Sequence, residues 1–81
     1  MKIIVRLMSL AGPFVQVGKE ESFDSIKSAT VAVTAHAESG GCSHVKLVDE
    51  GDMDGGRWTA RTPRGRGGRN VAFFDYDPRE D

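Results

Sequence analysis

SFDSIKSATVAVTAHAES, residues 22–39, is the stretch that decides the fold, because it carries the helical period. Phe23, Ile26, Thr30, Val33 and Ala37 recur at spacings of 3, 4, 3 and 4, which gathers them on one stripe. Asp24, Lys27, Thr34 and Glu38 fall on the opposite face. Ser22 suits the N-cap, Asp24 the positive end of the helix dipole, and Gly40-Gly41 a left-handed C-terminal cap. The β-branched residues Thr30, Val31, Val33 and Thr34 weaken intrinsic propensity, so this helix must lean on packing. Val31 lies on the polar face and marks a possible contact.

Outward from the helix the period changes to two. Ile3, Val5 and Leu7 alternate with Lys2, Ile4, Arg6 and Met8, which predicts a strand over residues 2–8. Gly12-Pro13 breaks the chain, and residues 14–17 alternate again, so the two runs are expected to pair as an antiparallel hairpin. After Gly40-Gly41, residues 45–48, 57–62 and 71–76 read as three more strands. Trp58, Ala60 and Thr62 share one face, as do Ala72, Phe74 and Tyr76. Residues 49–56 and 63–70 are the loops between them. The expected fold is α+β: a single, mostly antiparallel ββαβββ sheet with one helix packed on one face. The expected core joins Phe23, Ile26, Val33 and Ala37 to Ile3 or its neighbours, Val15, Leu47, and Phe73 or Phe74.

Eighty-one residues make one domain, 1–81, with 77–81 expected as a frayed tail. A chain this short buries about 60–65% of its unfolded surface, so its stability margin is thin. Hydrophobic residues at 38% exclude a wholly disordered chain, and no apolar run nears the roughly 20 residues needed to span a bilayer. The charge at Arg6, the sixth residue, cuts any signal-peptide core short. One cysteine excludes a disulfide scaffold and fits a cytoplasmic setting.

Charge is strongly segregated. Asp49, Glu50, Asp52 and Asp54 put four acids into six residues. Residues 55–74 then hold no acid but five arginines: Arg57, Arg61, Arg64, Arg66 and Arg69. The overall charge of −1 less this +5 leaves −6 on the rest of the chain. Opposite patches on a small protein favour binding a charged partner over catalysis. The acids would engage cations of the partner, and the arginines its carboxylates or phosphates.

The loop Thr62-Pro63-Arg64-Gly65-Arg66-Gly67-Gly68-Arg69 is also of a kind that binds nucleic acid, since guanidinium forks reach phosphates and stack on bases. A flexible hairpin loop with solvated arginines is the bland counterpart. Asp52, Asp54 and Gly55 set on a calcium-loop pattern put Arg61 where the bidentate glutamate belongs, which argues against calcium. His36, Cys42 and His44 match no structural zinc spacing, and nothing pairs a nucleophile with a base at a designed distance. No cofactor, metal or catalytic residue is expected, and the chain does not read as an enzyme.

In its whole architecture, through residues 2–17, 22–39 and 45–76, the chain resembles the small inhibitor proteins of bacterial viruses. Among these it is similar to anti-CRISPR proteins of ββαβββ type. The resemblance implies a stoichiometric inhibitor that binds a subunit of a CRISPR surveillance complex and blocks engagement of target DNA, in the bacterial cytoplasm. The basic segment departs from the strongly acidic DNA mimics of that group. The alternative expectation is a nucleic-acid-binding domain that uses the arginine-glycine hairpin of residues 61–70. A structural protein of the virus is a third.

Overall fold

The computed structural model describes residues 2–49, 55–63 and 67–77. The elements run β1 (Ile3–Leu7), β2 (Glu21–Phe23), α1 (Ile26–Ser39), β3 (Ser43–Asp49), β4 (Gly55–Arg61) and β5 (Gly68–Tyr76). All five strands form one antiparallel sheet in the order β2-β1-β5-β4-β3. The class is therefore α+β, ββαβββ, as the periodicities predict. The first and last strands pair at the centre of the sheet, and α1 links its two edges. Fourteen helical residues span about 21 Å, and four strand spacings about 19 Å, so this helix is just long enough to cover the sheet from edge to edge.

The second strand is not the one that the sequence predicts. Residues 14–17 touch β1 only through a bridge of Met8 with Gln16 and flanking backbone bonds, whereas Glu21–Phe23 pairs with Ile3, Ile4 and Val5. The helix accordingly starts later, with Ser25 and not Ser22 as its cap. The Ser25 Oγ accepts the Ser28 N–H at 3.1 Å from an extended backbone. The later start lays Phe23 beside Ile3 in the sheet and frees Asp24 to meet Lys2 Nζ at 2.8 Å. At the other end Gly41 takes φ +81. Its N–H donates to Glu38 O, and that of Cys42 to Ala37 O, which closes a Schellman cap.

The core lies between α1 and the inner sheet face. Ala29, Val33 and Ala37 of the helix meet Ile3, Val5, Trp58, Ala60, Val71, Ala72 and Phe74, with Cys42 beside the cap. Trp58, Phe74 and Tyr76 stand in a row, with ring centroids 4.9 and 5.7 Å apart. The indole N–H of Trp58 donates to Thr30 Oγ1 at 3.1 Å, and that hydroxyl donates to Ile26 O, so the polar atoms in this wall are satisfied. Val71 and Ala72 are both buried although they are consecutive. Register shifts between Trp58 and Thr59, so Val71 is the extra residue of a β-bulge and turns inward beside Ala72. Val15 and Leu47, expected in the core, are 53% and 37% exposed. Val15 belongs to the segment that leaves the sheet, and Leu47 lies on the edge strand β3.

The Lys2–Asp24 pair gives a prediction with a definite sign. The hydrogen bond from Lys2, reinforced by its charge, holds the Asp24 carboxyl below its ordinary 3.8. A depressed folded value contributes stability at neutral pH that is lost as the pH falls through it. Asp24→Asn is expected to lower the melting temperature slightly at pH 7 and not at all near pH 2–3. Equal losses at both pH values would show that the charge of Asp24 does not act on stability.

Candidate binding face

Among the described residues one helix covers one side of the sheet, and the other side carries no helix. Strand alternation sends Ile4 and Arg6 of β1 and Met8 just after it, Phe73 and Asp75 of β5, Arg57, Thr59 and Arg61 of β4, and Lys46 and Val48 of β3 to this side. Phe73 lies on the central strand, opposite Arg6 on one neighbour and Arg57 on the other. Arg6 donates to Asp75 and also lies 3.8 Å from Glu20. The cations over β1 and β5 therefore have acids beside them. The outward positions of β3 and β4 carry Lys46, Arg57 and Arg61.

A loop folds back onto this face after β1 and places Phe14 edge-on to Phe73, at 5.9 Å and 76°. Arg69 holds it there. Its Nε donates to Ser9 O at 3.0 Å, and its Nη2 donates to Ser9 Oγ at 3.2 Å and to Gly12 O at 3.0 Å. The guanidinium carbon also lies 5.3 Å from the centre of the Phe14 ring. Ser9 ties both ends of the loop, since its Oγ donates to Pro13 O and its N–H donates to Val15 O. Gly12 at φ +71 makes the turn.

Of the nine residues named from the sequence, the structure describes the surroundings of three. Arg57 and Arg61 share the open face. Arg69 is bound into the loop contact. Glu50, Asp52, Asp54, Arg64 and Arg66 lie outside the described residues, and Asp49 ends β3. Asp49 pairs with Gly56 at one end of β4, and Arg61 stands at the other. Residues 50–54 join β3 to β4, residues 62–67 join β4 to β5, and the seven residues of β4 put about 20 Å between those ends. Arg6, Phe14 and Phe73 were not foreseen as surface residues. The alternation of 2–8 exposes Arg6, but nothing in the sequence says that only one sheet face is covered by more than a helix's width.

The His36 Nε2–H donates to Met8 O at 2.8 Å, His44 accepts or donates at Ser43 Oγ, and Cys42 is buried at the helix cap. Among the described residues no three potential ligands gather around a point. A concavity of about 470 Å³ is lined by Leu10, Ala11, Gly40, Thr62, Pro63 and Arg69, and Arg69 is its one charged group among the described residues. No helix among the described residues is long and apolar enough to cross a membrane. No protein family, curated protein or solved structure matches the chain.

Proposed function

We propose that this protein is a non-enzymatic, protein-binding inhibitor that docks through the open face of its sheet. The observation that carries this reading is the aromatic pair Phe14–Phe73 held on an uncovered face between Arg6 and Arg57. Aromatic residues, methionine and arginine are the types enriched where proteins meet, and a buried aromatic with arginine at its rim is the usual energetic centre. The mixed signs at Arg6, Asp75 and Glu20 fit a protein surface better than a uniform phosphate backbone. The resemblance to anti-CRISPR proteins supplies the kind of target, a subunit of a CRISPR surveillance complex in the host cytoplasm.

Nucleic acid is the second reading, favoured by one observation. Asp49, which ends β3, pairs with Gly56 at the end of β4 away from Arg61. The two readings separate in one experiment. Immobilised wild type and the double variant Lys46→Glu/Arg61→Glu are offered purified surveillance complex after nuclease treatment. Both side chains are exposed, so the variant should keep the wild-type melting temperature. The inhibitor reading expects the complex on wild type, and at least tenfold weaker binding to the variant, about 1.4 kcal/mol. Equal retention by both proteins would remove the open face from the account. Salt-sensitive binding of wild type to short DNA, with no complex retained, would establish the second reading instead.

A further inference from the structure

We infer that the concavity beside the C-terminal end of α1 is a binding site for a small apolar monocarboxylate, whose charged end Arg69 receives through its Nη1 amino group. The double glycine makes the floor of this hollow. Leu10 packs so closely on Gly40 that a methyl there would overlap its side chain, and a Cβ at Gly41 would come within 3.1 Å of Pro63 Cγ. Two residues without side chains thus leave room for the loop after β1 and the chain after β4 to wall one space over bare backbone. That space is about 470 Å³, within the roughly 300–1,000 Å³ of sites that take small organic molecules. Its wall is mostly apolar, through Leu10, Ala11 and Pro63.

The charged group in that wall identifies the occupant. Arg69 spends Nε and Nη2 on Ser9 O, Ser9 Oγ and Gly12 O, which are all neutral acceptors. These bonds fix the guanidinium plane without cancelling its charge. Among the described residues no carboxylate pairs with Arg69, and its Nη1 has no partner. Arg6, by contrast, is paired with Asp75 and Glu20. A rigidly held cation without a counter-charge, at the side of an apolar hollow, is complemented by an anion with an apolar body. One guanidinium balances the one negative charge of a carboxylate. The second charge of a phosphate monoester would lie against apolar wall, where burial is costly. Thr62 adds a hydroxyl donor for the other carboxylate oxygen. The helix sets the direction of the ligand, because Gly40 stands at the negative end of its dipole. The apolar end therefore lies at Gly40 and the carboxylate at Arg69.

The test titrates octanoate, octylamine, octanol and acetate into the full chain and follows backbone and methyl signals by NMR. Octanoate should shift Leu10, Ala11, Gly40 and Arg69 saturably, with a Kd of about 1 mM or tighter. Octylamine reverses the charge, octanol removes it and acetate lacks the apolar body, so each should bind at least tenfold more weakly. Arg69→Gln should weaken octanoate binding at least tenfold. Ala11→Trp fills the hollow from an exposed loop position and leaves the Arg69 bonds in place. It should lose octanoate to the same degree while keeping the wild-type melting temperature. Val31→Ala, at a 67% exposed helix position outside the hollow, should bind as wild type does. No saturable shift with octanoate, or shifts centred on Phe73 and Arg57, overturns the site. Full octanoate affinity in Ala11→Trp overturns its location, whatever becomes of the loop in Arg69→Gln. Full affinity in Arg69→Gln overturns the role of Arg69. Octanol or octylamine binding as tightly as octanoate overturns the carboxylate, and acetate doing so overturns the apolar body. No protein partner enters any arm, so each of these outcomes is separate from the docking reading of the open face.

Discussion

Trp58→Ala is expected to leave most of the protein unfolded at 37 °C. Trp58 is fully buried and sits where α1, β4 and β5 meet. It stacks at 4.9 Å on Phe74 and bonds to Thr30 Oγ1. Removing a buried aromatic of this size costs about 3–5 kcal/mol, through lost burial and the cavity left behind. A domain of this length has about 4–12 kcal/mol in total, so one substitution consumes all of it at the bottom of that range and about a quarter to two fifths at the top. Trp58→Phe separates the two contributions, because it keeps a ring and drops the indole donor. Its cost should be about 1–2 kcal/mol, that of the smaller ring and the lost hydrogen bond to Thr30, whose hydroxyl still donates to Ile26 O. Circular dichroism melting curves measure both. A Trp58→Ala protein that melts within 3 °C of wild type would contradict the core described above.

Gly56→Ala should be nearly as damaging, for the opposite reason. A Cβ at Gly56 would lie 2.6 Å from Val48 O and 2.8 Å from the ring of Phe74. The first neighbour is backbone of β3, and the second is a ring fixed against Trp58 and Tyr76. Neither can give way cheaply. The added methyl must part β4 from β3 or tilt Phe74, at about 3 kcal/mol. Chemical denaturation would read this as a lower midpoint at an unchanged slope. A stabilised protein, the usual effect of replacing a glycine whose conformation alanine tolerates, would show that Phe74 does not lean over this position.

Gly56 also shows why part of the fold is hidden in the sequence. Two glycines after four acids read as a turn, so β4 is expected from residue 57, although it begins at Gly55. Cross-strand crowding by Phe74, which no local pattern reveals, selects glycine there. The helix stripe of Ile26, Val33 and Ala37 was legible because burial on one side imposes its own period. Its start was not, since Ser22 and Ser25 are equally good caps and a three-residue edge strand such as Glu21–Phe23 has no period to detect. Residues 14–17 misled for a different reason. They alternate as a strand does, but their apolar side chains serve a surface. Within the candidate site, Arg57 and Arg61 could be named from charge alone. The role of Arg69 depends on Ser9, Gly12 and Phe14, which are 55–60 residues away in sequence and meet it only in the fold.

The meander of β3, β4 and β5 has a consequence for how the molecule responds to salt. The ends of β4 lie about 20 Å apart, more than twice the screening length of about 8 Å at physiological ionic strength. Under those conditions charges borne at the two ends of the sheet behave as electrostatically independent sites, and neither dulls the attraction of the other for its counterpart. At 10 mM salt the screening length grows to about 30 Å and the two ends act together as a dipole. An approaching charged body is then turned before it touches, so dilution of salt changes the angle of encounter as well as its frequency.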